Sequence, residues 1–117
     1  MKTILVVEDT ELNIDLITQL LEKHYRLIVA HDGEQAVKMA LQNNPDLILM
    51  DISLPVMDGF EATRRIRETN KTIPIIGLSA HAMDFHLKKA MEVGCNDYLT
   101  KPIDDELLLN KIKEFLA

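Results

Sequence analysis

Short apolar runs alternate along the chain with longer segments in which apolar residues recur every three or four positions. Five runs have the length of strands: Thr3–Val7, Leu27–Ala30, Leu47–Asp51, Ile73–Leu78 and Asp97–Thr100. The first and third are almost entirely apolar or β-branched, as is typical of strands buried on both faces of a parallel sheet. Because helical segments separate the runs, the pattern predicts an α/β fold with a five-stranded parallel sheet and helices on both faces.

The boundaries of the predicted helices carry recognisable capping residues. Asp32 and Gln35, and again Asp58 and Glu61, have the three-residue spacing of a capping box. Gly94 stands where the fourth helix would end in a left-handed residue. The spacing predicts that the second helix runs from the cap at Asp32 to about residue 41. The third helix is predicted to run from the cap at Asp58 to about residue 70.

Apolar stripes predict which side of each helix faces the sheet. The first helix, which Thr10 would cap, carries an apolar stripe: Leu12, Leu16, Ile17, Leu20 and Leu21. The fourth and fifth helices carry two further stripes: Met83, Leu87, Ala90 and Met91, then Leu107, Leu108, Ile112, Phe115 and Leu116. On the third helix we expect Arg64, Arg65 and Arg67 to form a solvated face.

Length and composition favour a single domain over residues 1–117. A chain of 117 residues with 47% hydrophobic content can bury one core without disulfides, and Cys95, the one cysteine, is expected to be a structural thiol. The net charge of −6 disfavours direct nucleic-acid binding. The apolar N-terminal run is too short for a signal peptide or a membrane span, so we expect a cytoplasmic protein with no membrane partner.

Polar or charged side chains stand at the ends of four predicted strands. They are Glu8 and Asp9, Asp51, Ser79, and Lys101. The carboxyl ends of parallel strands meet at the edge of the sheet where ligands bind. Two carboxylates about 4 Å apart repel by roughly 4 kcal/mol at an effective dielectric of 20, so this cluster calls for a divalent cation, and oxygen ligands favour Mg²⁺. A hydroxyl and an ammonium beside a carboxylate nucleophile suit a phosphoryl group.

These residues, taken in order, resemble the receiver domain of two-component response regulators across the whole chain. The motifs are Glu8-Asp9, Asp51 followed by Pro55-Val56-Met57-Asp58-Gly59, Ser79-Ala80, and Tyr98-Leu99-Thr100-Lys101-Pro102. Each motif is weak alone, but their order and spacing together are specific. The resemblance implies a flavodoxin-like (βα)5 fold with strand order 2-1-3-4-5.

The resemblance also implies a phosphoacceptor and a metal site. Asp51 would accept a phosphoryl group from a phosphohistidine, with Mg²⁺ held by Asp9, Asp51 and the main-chain carbonyl of Ser53. Glu8 would help through a bound water. Where the family often has two aspartates, Glu8 stands first and is one methylene longer. The residues that tune phosphoryl lifetime in the family would be Ser53 and His81, and no lifetime is predicted from them.

By the same resemblance, phosphorylation would switch a surface. Lys101 would contact the phosphoryl group, Ser79 would move to hydrogen-bond it, and Tyr98 would turn inward. The surface made by helix four, strand five and helix five would then change toward a state that binds an output protein. We also expect a cis peptide bond before Pro102.

The phosphodonor implied by the resemblance is a histidine kinase or a histidine phosphotransfer protein. It would dock near the site along the first helix, where Leu12 and Ile14 are candidate contacts. The protein would catalyse only its own phosphorylation and dephosphorylation, so we do not expect an enzyme in the ordinary sense.

Three alternatives stay open from the residues alone. We expect a single-domain response regulator because the chain stops after the fifth helix. The first alternative is the receiver domain of a hybrid histidine kinase, since the stretches Ser79–Met83 and Lys101–Ile103 look like those receivers. The second alternative is a Mg²⁺-dependent phosphatase of the haloacid dehalogenase group. That family has a second aspartate two residues after the nucleophile, whereas this chain has Ser53 at that position. The third alternative is an interaction module that is never phosphorylated.

Overall fold

A parallel five-stranded sheet forms the centre of the molecule. The computed structural model describes residues 1–54, 56–80 and 84–116. The strands are β1 (Thr3–Val7), β2 (Arg26–Ala30), β3 (Leu47–Asp51), β4 (Ile75–Ser79) and β5 (Asp97–Thr100). The helices are α1 (Glu11–Leu21), α2 (Gly33–Asn43), α3 (Gly59–Thr69), α4 (Asp84–Val93) and α5 (Asp105–Leu116). The order in the sheet is β2-β1-β3-β4-β5 with every neighbouring pair parallel, which confirms the predicted fold.

Two apolar layers cover the sheet, one on each face. Alternate residues of β1 point to opposite faces, so Leu5 and Val7 join one layer while Ile4 and Val6 join the other. The first layer includes buried residues of α2, α3 and α4, and the second includes those of α1 and α5. This arrangement explains why the central strands are apolar without alternation. None of the helices within the described ranges is long and apolar enough to cross a membrane.

The predicted helix boundaries are largely correct. The Asp32 carboxylate accepts a hydrogen bond from the Gln35 backbone N–H at 2.8 Å, and Asp58 accepts one from the Glu61 N–H at 2.9 Å. Gly94 has a φ of 117°, the left-handed conformation expected after α4. Thr10 occupies the N-cap position of α1 but makes no side-chain capping bond, so that part of the prediction is wrong.

The buried face of α1 differs from the predicted stripe. Ile14, Ile17 and Leu21 face the core, whereas Leu12 and Leu16 are 66% and 56% exposed. The apolar arc of this helix is wider than one face, because leucines follow one another at four-residue intervals beside the buried stripe. Periodicity shows that the helix has an apolar side, but it does not show which edge of a wide arc meets the sheet.

The same limitation affects α4 and α5. Ala90 is fully buried, but Leu87 and Met91 are 43% and 47% exposed, and Met83 lies outside the described residues. On α5, Leu108 and Ile112 are fully buried as predicted, while Leu107 is exposed. Both helices therefore present apolar side chains to solvent.

Cys95 is the structural thiol that the composition suggested. The residue is buried near the Thr63 hydroxyl, with the sulfur and oxygen atoms 4.0 Å apart. Burial raises the pKa of the Cys95 thiol to about 11, so it stays protonated at neutral pH.

Arg67 corrects the prediction of a purely solvated arginine face. Arg64 and Arg65 are exposed and pair with Glu61 as that prediction implies. The Arg67 guanidinium instead donates to the carbonyl oxygens of Gly94 and Asn70 and to Oδ1 of Asn96, at 2.9, 3.1 and 2.8 Å. It therefore ties the end of α3 to the turn between α4 and β5. This role was invisible in the sequence because the turn lies 27 residues further along the chain.

We expect Arg67→Ala to lower the free energy of unfolding by about 2 kcal/mol, because it leaves carbonyl groups of the turn without their charged donor. Urea unfolding measures this loss. Arg65→Ala is the matched control on the same helix, and its effect should be much smaller because its ion pair is exposed. Equal losses in the two variants would contradict the anchoring role.

Candidate functional site

The parallel register brings the ends of four strands to one edge of the sheet. Val7 is level with Met50, Asp51 with Leu78, and Ser79 with Thr100. The residues that follow these positions therefore meet at that edge, as the sequence predicted for Glu8, Asp9, Asp51, Ser79 and Lys101.

Three carboxylates form a cluster there. Glu8, Asp9 and Asp51 each place one oxygen within 4.8 Å of the others. Glu8 and Asp51 are buried, whereas Asp9 is exposed. Because all three offer hard oxygen ligands, the cluster can hold a cation such as Mg²⁺.

Lys101 compensates part of the buried negative charge. Its Nζ lies 2.9 Å from Oε2 of Glu8 and 3.4 Å from Oδ2 of Asp51. Burial lowers the pKa of Lys101, but the hydrogen bond to Glu8 and the charges of both carboxylates outweigh it and raise the pKa overall. The peptide bond that follows, between Lys101 and Pro102, is cis as predicted.

The two buried carboxylates are not equivalent. Burial, together with repulsion from Glu8, raises the pKa of Asp51 to about 6. Lys101 and the Ser53 N–H, which donates to Asp51 at 3.1 Å, reduce the size of this shift. Burial also raises the pKa of Glu8, but hydrogen bonding and attraction to Lys101 outweigh burial and lower it overall. Lys101 is thus engaged mainly by Glu8, and Asp51 carries the less compensated charge.

The chain after Asp51 is held close to β3. The Ile52 N–H donates to the carbonyl of Leu78, and the Gly59 N–H donates to the carbonyl of Ile52, both at 2.9 Å. A Cβ on Gly59 would lie 2.3 Å from the Asp51 carbonyl oxygen, so only glycine fits at this approach. The start of α3 therefore fixes the backbone of Asp51. Pro55, part of the quoted motif, lies outside the described residues.

Ser79 and Tyr98 occupy neighbouring strands near the acidic cluster. Ser79 is fully buried at the end of β4, and its carbonyl accepts the Lys101 N–H at 2.7 Å. Tyr98 is level with Gly77, is partly buried, and packs against the apolar layer shared with α2, α3 and α4. Of the two residues expected to tune phosphoryl lifetime, Ser53 is exposed beside Asp51 and His81 lies outside the described residues.

Glu8 has two further partners that the sequence pattern did not predict. The Thr10 N–H and the Asn13 amide donate to Oε1 of Glu8 at 3.3 and 3.4 Å. Their signal was available, since both residues follow Glu8 closely at the start of α1. Asn13 lies outside the apolar stripe of α1, and periodicity alone gives no role to a polar residue beside such a stripe.

Known proteins resemble this chain along its length. The sequence profile described as the response regulator receiver domain matches residues 4–113. The chain belongs to this family. PilH of Pseudomonas aeruginosa is 38% identical over 120 residues, which cover all of this chain and 99% of PilH. PhoP of Bacillus subtilis, an alkaline phosphatase synthesis transcriptional regulatory protein, is 38% identical over 116 residues, but the chain spans only 48% of PhoP.

A solved receiver domain has the same fold. The receiver domain of a sensor histidine kinase from Pseudomonas aeruginosa is 38% identical, with a TM-score of 0.91 over 98% of this chain and 97% of that domain. That receiver domain has a magnesium ion coordinated in its active-site cleft. In this chain, the cluster of Glu8, Asp9 and Asp51 is the group of carboxylates that could hold such an ion.

We expect Asp51→Asn to stabilise the metal-free receiver domain at pH 7. The folded-state pKa of about 6 lies above the ordinary value of 3.8, so ionisation of Asp51 opposes folding. This penalty is absent below about pH 4, grows as the pH rises from 4 to 6, and is fully present above pH 6. The gain at pH 7 should be about 2–3 kcal/mol. Urea unfolding in EDTA between pH 4 and 8 measures it. A gain that is the same at pH 4 and pH 7 would contradict the assignment to this carboxyl group.

Proposed function

We propose that residues 1–117 form one receiver domain that works in the cytoplasm as a phosphoacceptor switch, with Asp51 as the acceptor. The phosphodonor is a histidine kinase or a histidine phosphotransfer protein. The proposal is carried by one observation, the buried Asp51 carboxylate at the carboxyl edge of the sheet, with Glu8, Asp9 and Lys101 around it. Membership of the receiver family supports it.

The proposed chemistry is a single phosphoryl transfer. An oxygen of Asp51 forms a bond to phosphorus while the phosphorus–nitrogen bond of the phosphohistidine breaks, and the electron pair stays on the donor imidazole. The attack requires the ionised carboxylate, and a Mg²⁺ ion bound beside Asp51 would favour that form. Lys101, already 3.4 Å from Asp51, neutralises charge on the phosphoryl oxygens.

The proposed Mg²⁺ ligands are Asp9, Asp51 and the main-chain carbonyl of Ser53, with Glu8 acting through a bound water. The donor set fits this ion because it consists of oxygens and leaves two buried negative charges against one lysine. When bound, Mg²⁺ supplies positive charge for the carboxylates and the incoming phosphoryl group.

The switch that we propose runs from Asp51 at the end of β3, through β4, to the edge strand β5. Ser79 would bond the phosphoryl group, and Tyr98 would move inward into the space that Ser79 leaves. The surface of α4, β5 and α5 would then favour an output protein. The exposed apolar side chains of Leu87 and Met91 on α4 and Leu107 on α5 support an interface there.

The phosphodonor would dock along α1. A groove of about 410 Å³ runs between α1 and the start of α5, with Leu16, Leu20, Ile103 and Lys101 in its lining. The groove thus leads from exposed apolar side chains to the lysine of the site. Leu12 stays a candidate contact, but Ile14 is buried and does not offer its side chain to a partner.

The first test is phosphorylation by acetyl phosphate, followed by intact mass. We expect one phosphoryl adduct on the wild-type chain, none without Mg²⁺ and none on Asp51→Asn. Asp58→Asn is the matched control, because asparagine also caps a helix and Asp58 only caps α3. It should be phosphorylated normally.

Other results of this test would favour the alternatives. Release of phosphate from many monoesters with turnover would favour a phosphatase of the haloacid dehalogenase type. Failure of the wild-type chain with acetyl phosphate and with phosphorylated histidine kinases would favour an interaction module that is never phosphorylated.

We expect Leu16→Ala to slow transfer from a phosphorylated histidine phosphotransfer protein roughly tenfold, the effect of losing about 1.4 kcal/mol at an interface. Phosphorylation by acetyl phosphate, which needs no docking surface, should not change. Leu41→Ala is the matched control, because Leu41 is 52% exposed on α2, away from the groove. Equal slowing by both variants, or slowing with both donors, would contradict docking along α1.

A further inference from the structure

Glu8 is held by donors on both of its oxygens. Lys101 lies 2.9 Å from Oε2, while the Asn13 amide and the Thr10 N–H donate to Oε1 at 3.4 and 3.3 Å. Asn13 is half-buried on the first turn of α1, one residue before the buried Ile14. Its backbone position is therefore fixed by the packing of the helix on the sheet.

A glutamate at this position needs such a partner more than an aspartate would. The additional methylene gives Glu8 one more rotatable bond, so more side-chain entropy is lost when its carboxylate is fixed. Lys101 contacts only Oε2 of Glu8 and leaves the other oxygen, Oε1, to be held by donors from α1 and the residues before it. A donor on the opposite oxygen holds the carboxylate plane between Lys101 and α1.

We propose that Asn13 is a positioning residue for the Mg²⁺ site and orients the Glu8 carboxylate before the ion binds. The inference rests on the proposed function, since it concerns the same acidic site. Asn13 touches neither the acceptor nor the phosphoryl group, and it acts only through Glu8. Partners that orient a metal-binding group in this way contribute measurably to metal affinity.

The test measures Mg²⁺ affinity directly, from amide chemical shifts of the full chain during titration with MgCl₂. We expect Asn13→Ala to weaken Mg²⁺ binding roughly fivefold, less than the loss of a partner of a direct ligand, because Glu8 acts through a bound water and the bond is long. Gln19→Ala is the matched control, since Gln19 lines the same groove further along α1. It should bind Mg²⁺ like the wild-type chain.

A double-mutant cycle separates positioning from a general structural effect. In a Glu8→Asp background the shorter carboxylate is withdrawn from Asn13, so adding Asn13→Ala should change Mg²⁺ affinity by less than about twofold. Acetyl phosphate kinetics supply a second readout. Asn13→Ala should raise the Mg²⁺ concentration for half-maximal rate and leave the rate at saturating Mg²⁺ nearly unchanged.

Three outcomes would overturn the inference. They are wild-type affinity in Asn13→Ala, the same weakening by Asn13→Ala in both Glu8 backgrounds, and no Mg²⁺ binding by the wild-type chain. If the wild-type chain binds Mg²⁺ but takes no phosphoryl group, the proposed switch fails, while the affinities of the variants still decide the role of Asn13.

Discussion

The site depends on two carboxylates buried side by side with one lysine ammonium between them. Lys101 lies closer to Glu8 than to Asp51, and the two acids respond in opposite ways: the pKa of Glu8 is lowered, while burial and the charge of Glu8 raise that of Asp51. An acid that keeps uncompensated charge in a buried position attracts a cation and can act as a nucleophile. In the proposed function, the same imbalance that raises the pKa of Asp51 makes this carboxylate the phosphoacceptor.

The rest of the structure keeps this unfavourable arrangement in place. The apolar layers on both faces bury every residue of β3, and the sheet register fixes where each strand ends. The contact of Gly59 with the Asp51 carbonyl and the bond from Ile52 to β4 hold the backbone beyond the strand. Rigid elements therefore present the acids, whereas most of the exposed large apolar side chains, among them Leu16, Leu87 and Leu107, lie on the helices that cover the sheet. The proposed switch uses this division, since it requires a fixed site and a surface that a partner can reach.

The relatives show that one architecture serves proteins of different length. The chain matches almost the whole of PilH and about half of PhoP. In this chain the matched part contains the acidic cluster, Lys101 and Ser79 at a single edge of the sheet.

The sequence by itself determined the order of strands and helices, the caps at Asp32 and Asp58, and the residues that stand at the strand ends. These features depend on near neighbours and on periodicity, which a single chain displays directly. Only the tertiary structure decided which stripe of α1 is buried, that Arg67 anchors the turn after α4, and that Asn13 and Lys101 hold opposite oxygens of Glu8. Lys101 lies 93 residues from Glu8 along the chain, and such contacts depend on how elements pack. Spacing within one element carries no information about the partner that another element brings to it.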